Sequence, residues 1–497
     1  MVLTWLIVIP AIGGALAWIA SARSKSLARW IALGAVTADF ALSVGVWIWS
    51  ATAPHGALLI EQRATWIPQF GISYHLAMDG LSLLLVVLTT FLGVIAVAVS
   101  WREITDRVGA FHFTLLLLLS GIVGVFLAYD LILFYFFWEL MLIPMYFVIG
   151  LWGHENRVYA AIKFFLFTFI SGLFMLAAIL GVFIFHGRAT GNYTFDYSTL
   201  LASAASIPYS FWLMLGFFAA FAVKLPMVPL HTWLPDAHTE APTAGSVILA
   251  GLLLKTGAYG IMRFAIPLFP VASGDLRQAA MILGTIGILY GAVLAFAQRD
   301  LKRMIAYTSV SHLGFVLLGI YAGTTLALQG AVIEILSHGI STGALFVVAG
   351  MLQERTHTRD FDKLGGLWAT VPRLGGFTLL FALAALGLPG LGNFVGEFLI
   401  LLGAFQANPA IAIVASVGFV FSVIYALRLV QLSMHGPNEH YWALPDLGGR
   451  EMAVLGWMAV VIFWLGLYPQ PIFNTARRSL DSVQQTLTSG STEARYP

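Results

Sequence analysis

Residues 217–238, FFAAFAVKLPMVPLHTWLPDAH, interrupt an apolar segment first with a lysine and then with prolines. Pro226 has no amide proton, so the carbonyl of Ala222, four residues earlier, loses its helical partner. At membrane depth such a carbonyl is tolerated only where protein or a water-filled cavity satisfies it. The stretch therefore predicts a broken transmembrane helix beside a polar pathway, with Lys224 at the break.

A second break of the same kind lies in LGLPGLGNFVGEFLILL, where Pro389 frees the carbonyl of Ala385 and Glu397 follows in the same apolar segment. Paired breaks at corresponding positions of two halves are typical of transporters built from inverted repeats. We therefore predict two inverted five-helix repeats, each with a broken helix. Three N-terminal helices precede them and a last helix with a C-terminal tail follows, which gives four units: 1–110, 111–266, 277–432 and 451–497.

The composition agrees with a protein that lies in the membrane. Of the 497 residues 60% are hydrophobic and only 10% are charged, against roughly 25% charged residues in a soluble domain. The net charge of +2 speaks against a nucleic-acid partner. The absence of cysteine speaks against iron–sulfur, Cys-type zinc and disulfide sites. Lipid is the expected partner.

Apolar runs of transmembrane length number about fourteen, which predicts an all-α, polytopic membrane helix bundle. The predicted spans are 2–20, 29–49, 80–99, 111–129, 131–151, 162–185, 208–230, 243–266, 277–297, 303–322, 325–352, 374–405, 409–432 and 451–469.

The distribution of basic residues predicts the orientation. No positive segment precedes the first run, so we expect it to stay as an anchor with the N-terminus outside. Alternation of the spans then places 16 Lys and Arg on the cytoplasmic side and seven outside, as the positive-inside rule requires. We predict a multi-pass membrane protein with both termini outside the cytoplasm. Two of the 25 basic residues, Lys224 and Lys255, fall inside helices.

Four charged side chains lie within apolar helices: Glu139, Lys224, Lys255 and Glu397. Such a charge costs on the order of 2.5 to 3.5 kcal/mol at mid-membrane, so it usually faces the bundle interior and works there. These four are the candidate catalytic residues. The alternative is that they are static ion pairs or snorkelling residues near helix ends.

Three histidines are candidates for a proton relay, because imidazole titrates near neutral pH. His312 and His338 lie deep in apolar helices, and His231 borders the first break. Glu334 stands one helical turn before His338, so these two side chains can meet. We find no nucleotide-binding glycine loop and no zinc-peptidase motif, and we predict no cofactor-binding or metal site in this chain.

Four segments together identify a resemblance: FFWELMLIPMYFVIGLWG, FAVKLPMVPLHTWLPDAHTEAPTAGSVILAGLLLKTGAYG, RMIAYTSVSHLGF and LGLPGLGNFVGEF. They resemble the antiporter-like membrane subunits of respiratory complex I, the bacterial proton-translocating NADH:quinone oxidoreductase, and within it the subunit M branch, the counterpart of mitochondrial subunit 4. The similarity extends over nearly the whole chain. Sister subunits L and N carry a lysine where this chain has Glu397.

The resemblance implies roles for the candidate residues. Those matching Glu139 and Lys224 form a control pair, Lys255 matches the central proton carrier, and Glu397 matches the residue facing the exit. By the same resemblance, His231, His312 and His338 match residues that line the hydrated axis.

The implied function is proton pumping in a translocase, driven by electron transfer from NADH to quinone in other subunits. This chain would hold no redox centre, while NADH, FMN, iron–sulfur clusters and quinone would bind to partner subunits, which include the sister antiporter-like subunits. The main alternative is a proton-channel subunit of a multisubunit cation/proton antiporter or membrane-bound hydrogenase. A structural scaffold and a redox enzyme with its own cofactor are weaker alternatives.

Overall fold

The computed structural model describes residues 1–52, 56–204 and 207–493, with side chains as far as Thr488. Helices dominate it. They are α1 (Val2–Ala20), α2 (Lys25–Thr52), α3 (Gly80–Glu103), α4 (Val108–Leu127), α5 (Leu131–Trp152), α6 (Arg157–Thr190), α7 (Tyr197–Ala202), α8 (Ser210–Lys224), α9 (Trp233–Glu240), α10 (Thr243–Leu268), α11 (Pro270–Phe296), α12 (Leu301–Ala322), α13 (Thr325–Thr356), α14 (Pro372–Ala385), α15 (Gly392–Ala407), α16 (Pro409–Met434), α17 (Gly449–Leu467) and α18 (Gln470–Glu493).

Twelve of the described helices are long and apolar enough to cross a membrane. Two further crossings are interrupted: one begins with α8, and the other consists of α14 and α15. The fourteen predicted spans are thus all present, and the predicted fold class is confirmed.

Both breaks fall where the prolines predict them. Helix α8 ends at Lys224, and the amide of Met227 donates to the Ala222 carbonyl at 2.9 Å, so a wider turn satisfies the group that Pro226 frees. The indole Nε1 of Trp233 donates to the Val223 carbonyl at 3.0 Å. Protein groups therefore satisfy the carbonyls at the first break, and α9 follows the break along the chain.

Two short backbone ladders recur five spans apart. Leu131 N donates to Phe195 O at 2.9 Å and Tyr197 N to Tyr129 O at 3.0 Å, next to the start of α5. Beside the start of α12, Leu301 N and Phe361 N make the equivalent bonds to Arg359 O and Arg299 O, both at 2.9 Å. Each ladder ties the start of one helix to the segment that follows the next helix. The residue boundaries assigned to the two repeats stay a prediction.

Two features were absent from the sequence prediction. An antiparallel hairpin, β1 (Ile60–Ile67) and β2 (Ile72–Met78), lies between α2 and α3. The segment predicted as a tail is helical in α18, whose buried side chains recur every three or four residues: Ile472, Ala476, Leu480, Val483 and Leu487. Arg495, counted above among the outside basic residues, is outside the described residues.

Candidate proton-transfer site

Lys255 and His338 form the centre of the site, at the contact of α10 with α13. Both side chains are completely buried. A π-helical turn at Leu249–Leu253 widens α10 just before Lys255, as π-turns often do at functional sites. The Lys255 ammonium donates to the Ala250 carbonyl at 2.6 Å and contacts Nδ1 of His338 at 2.5 Å. The lysine therefore has an imidazole nitrogen directly in front of it.

A second buried cluster lies next to His338. The His312 ring meets the His338 ring at a centroid distance of 5.4 Å. His312 Nδ1 is 2.7 Å from Glu397 Oε1 and 3.4 Å from Glu334 Oε1. Asn393 Nδ2 donates to Glu334 Oε1 at 3.2 Å. The structure thus brings Lys255, His338, His312 and Glu397 into one connected series.

Glu334 and His338, which the helical spacing allows to meet, have other partners in the structure. Glu334 faces His312 and Asn393 instead, while His338 faces Lys255. The cause is the close packing of α15 on α13: a Cβ at Gly396 would lie 2.8 Å from the Cα of Glu334. Because glycine removes this obstacle, the carboxylates of Glu334 and Glu397 both reach the imidazole of His312.

Glu139 and Lys224 lie at the other end of the site. The Lys224 ammonium is 5.5 Å from the ring centroid of Trp138 and 5.3 Å from that of Phe164, which is within cation–π range. It has no hydrogen-bond partner among the described residues. Its charge interacts with that of Glu139, although no salt bridge of 4 Å or less joins them in the described part of the chain. The control-pair assignment stays a prediction.

Two histidines accompany the first break. His231 is buried, with its ring centroid 5.6 Å from that of Tyr290 and 6.2 Å from that of Tyr307. His238, on α9, stacks on Phe346 at 4.4 Å, and neither of its ring nitrogens has a described partner. No contact between the described side chains joins His231 to the Lys255 series, and its relay role stays a prediction.

Several buried polar atoms along this axis have no partner among the described residues. They include Lys224 Nζ, both nitrogens of His238, His338 Nε2, the hydroxyls of Ser337, Ser341 and Thr342, and one carboxylate oxygen each of Glu334 and Glu397. Buried polar groups without protein partners are generally satisfied by internal water. The axis therefore has the chemistry of a hydrated path through the bundle.

The nitrogen of His312 and the carboxylates of Glu334 and Glu397 also lie within 4.8 Å of one another, close enough to hold a metal ion. These groups already bond to each other, with the shortest contact between His312 and Glu397. The expectation of a chain without a metal site stays a prediction. The three residues come from three helices, so the sequence could single them out but could not place them together.

The burial of one lysine could not be read from the sequence. Lys302 is one of the 16 basic residues counted on the cytoplasmic side and stands in a charged stretch, RDLKR; in the structure it lies in the first turn of α12 and is completely buried. Its ammonium contacts the Ala241 carbonyl at 3.1 Å and His154 Nε2 at 3.3 Å. Only the packing of α12 against the segments that contain His154 and Ala241 reveals that Lys302 is buried.

Known proteins of one family are similar to this chain over nearly its whole length. Residues 128–422 match the family model described as "NADH:quinone oxidoreductase/Mrp antiporter, TM". NADH-quinone oxidoreductase subunit M of Pseudomonas aeruginosa is 54% identical, with 98% of each chain covered, and that of Escherichia coli K12 is 51% identical over 100% of both. A chain in the structure of respiratory complex I from Thermus thermophilus with bound NADH is 32% identical, with a TM-score of 0.87 over 98% of this chain and 99% of that one.

Proposed function

Because the chain belongs to the subunit M family of NADH:quinone oxidoreductase and is a proton-translocating subunit of that complex, we propose that Lys255, His338, His312 and Glu397 carry the protons. The observation that supports this most is their connected series: 2.5 Å from Lys255 to His338, ring contact from His338 to His312, and 2.7 Å from His312 to Glu397.

The transfer uses the two nitrogens of each imidazole. The Lys255 ammonium gives a proton to Nδ1 of His338, and the proton on Nε2 of His338 leaves towards His312. His312 passes its Nδ1 proton to the Glu397 carboxylate, which becomes a carboxylic acid. Imidazole suits this role because one ring nitrogen accepts while the other donates.

Glu139 and Lys224 supply the control step in this proposal. When the Glu139 carboxylate moves away, the Lys224 ammonium loses a stabilising charge and releases a proton towards Lys255. Moving one charge against about 150 mV costs roughly 3.5 kcal/mol. The free-energy change from weakening one carboxylate–ammonium interaction is smaller than this cost. A series of charged groups therefore suits proton transport better than one carrier.

The rest of the assembly follows from the same proposal. Electron transfer takes place in partner subunits that bind NADH, FMN, iron–sulfur clusters and quinone, and this chain contributes no redox centre. Its lack of cysteine supports that division. We place it in the bacterial inner membrane with both termini on the periplasmic side, among lipid and the sister subunits and without a nucleic-acid partner.

The antiporter or hydrogenase alternative shares the family model, whose description includes the Mrp antiporter. The relatives at more than half identity over 98% and 100% of this chain favour subunit M. Copurification of NADH-oxidising subunits with this chain would agree, whereas copurification of cation-antiporter subunits would contradict the assignment.

Lys255→Arg tests the carrier role, because arginine keeps the positive charge but does not lose its proton in proteins. The complex should assemble, and NADH-driven pumping in inverted membrane vesicles, followed with a pH-sensitive dye, should fall by about tenfold or more. Lys25→Arg is the matched control, since Lys25 is exposed and bonds the Thr105 carbonyl. Normal pumping by assembled Lys255→Arg would refute the carrier role.

A further inference from the structure

A buried lysine outside the proposed carrier series contacts a histidine that lines a surface cavity. Lys302 is completely buried, and its ammonium lies 3.3 Å from Nε2 of His154 in the loop between α5 and α6. His154 is only partly buried. The contact between His154 and Lys302 therefore extends from the surface of the bundle to its interior.

The cavity at this face has a volume of about 820 Å³. Its lining includes His154, Glu155, Asp300 and Arg359. Water in this cavity can reach the His154 ring from one side while Lys302 contacts it from the other. Burial, together with the positive charges of Lys302 and Arg359, lowers the pKa of His154 to about 3. His154 is thus neutral near pH 7, so one of its ring nitrogens carries a hydrogen and the other has a free lone pair.

Charged groups from four segments face Lys302. The carboxylates of Glu103 at the end of α3, Glu240 at the end of α9 and Asp300 before α12 attract its ammonium, while the Arg359 guanidinium after α13 repels it. Arg359 itself lies 3.1 Å from Asp300 and 3.6 Å from Glu240. Lys302 therefore faces three carboxylates and one guanidinium.

His238 provides the link towards the centre of the membrane. The charges of both Lys302 and Lys255 act on it, and both of its nitrogens lack a described partner. It stacks on Phe346, which shares one face of α13 with Thr342 and His338 at spacings of four residues. This face spans about 12 Å from His338 to Phe346 at 1.5 Å per residue, so it runs from the Lys255 contact to His238.

We propose that His154 and Lys302 form the proton-uptake site of this subunit. A hydronium ion in the cavity gives its proton to His154 Nδ1 and becomes water, while the Nε2 proton passes at the same time to the lone pair of a neutral Lys302 amine. Lys302 is then an ammonium and His154 is neutral again. The proton continues through His238 to Lys255, so this inference rests on the carrier series proposed above.

Lys302→Arg distinguishes uptake from a structural role. As a mere counter-ion to Glu103 and Glu240, Lys302 could be replaced by arginine, which keeps the charge and the hydrogen bonds. As a carrier it could not, because arginine holds its proton. We expect an assembled complex whose pumping per NADH falls by about tenfold or more, with Lys25→Arg unchanged. Normal pumping by Lys302→Arg overturns the proposal.

The same assay separates the two hypotheses. If Lys302→Arg pumps normally while Lys255→Arg does not, the uptake site is wrong and the carrier series stands. If both variants pump normally, the carrier series is wrong as well.

A labelling experiment tests the access route without measuring activity. The chain has no cysteine, so His154→Cys and Glu155→Cys each introduce a single thiol for a charged, membrane-impermeant reagent. Glu155 is exposed on the same cavity, so the Glu155→Cys variant serves as the positive control. We expect both thiols to react in inverted vesicles and neither in right-side-out vesicles. Reaction of the thiol at position 155 without reaction of the thiol at position 154, or reaction from the opposite side, contradicts the route.

Discussion

Replacement of Glu397 by glutamine tests the end of the carrier series. Glu397 is completely buried, accepts the His312 Nδ1 hydrogen bond at 2.7 Å and has a second oxygen without a described partner. Glutamine has the same length and keeps an acceptor oxygen, but it cannot take up and release a proton. The substitution therefore removes proton carriage and leaves the local geometry nearly unchanged.

The structure sets the expected magnitudes. A hydrogen bond to a charged group contributes about 1.5 to 3 kcal/mol, and one between neutral groups about 0.5 to 1.5 kcal/mol. Glu397→Gln should thus cost the fold only about 1 kcal/mol, too little to prevent assembly of a bundle of fourteen crossings. Pumping, in contrast, should fall by about tenfold or more, because proton transfer by a positioned side chain contributes at least that factor.

The assay is proton pumping per NADH in reconstituted complex, with assembly followed on native gels. Glu354→Gln is the matched control, because Glu354 is an exposed carboxylate on α13. Glu397→Lys, which introduces the residue of the sister subunits, should retain partial pumping. Equal pumping by wild type and Glu397→Gln would refute the reasoning. Failure of both Glu397→Gln and Glu397→Lys to assemble would instead favour a fixed ion pair, whose disruption costs about 3 to 5 kcal/mol.

Three further predictions concern other parts of the chain. Glu139→Ala and Lys224→Ala should each suppress NADH-driven pumping in an assembled complex, with Glu139→Asp losing less; normal rates in both alanine variants would contradict the control pair. Gly172→Ala should also lower pumping, since the added Cβ would collide with Glu139 Oε1, and an unchanged rate would show that Glu139 moves freely. Burial alone would raise the pKa of Asp196, but hydrogen bonds from His75, Ser198 and Thr199 outweigh it and hold that pKa below its ordinary value. Asp196→Asn should therefore lower thermal stability at neutral pH, and the difference from wild type should shrink as the pH falls through the lowered pKa; equal melting at pH 7 would contradict this contribution.

The sequence predicted the features that local physics determines. Apolar length gave the membrane crossings, proline chemistry gave the breaks after Lys224 and before Gly392, and the cost of burying charge singled out Glu139, Lys255 and Glu397. Each of these inferences depends on a residue and its immediate neighbours along the chain.

The remaining features depend on contacts between distant segments. Glu334 meets His312 rather than His338 because α15 packs closely on α13 at Gly396. Lys302 is buried and contacts His154 and Ala241, both distant in sequence, although its own stretch is as charged as an exposed loop. Helix α18 was missed because its polar face dilutes the apolar signal along the sequence.

The two matched ladders differ in what covers them, and this difference bears on the direction of transport. At the start of α5, the hairpin closes the ladder: Ser73 N donates to the Asp130 carboxylate at 2.9 Å. At the start of α12, Asp300 pairs with Arg359 and both line the open cavity. A proton path that is open at both ends would dissipate the gradient. The ladder at α5 is closed and the ladder at α12 is open, which favours proton uptake beside Lys302. Proton release is then left to the second break, where Glu397 lies against Gly387.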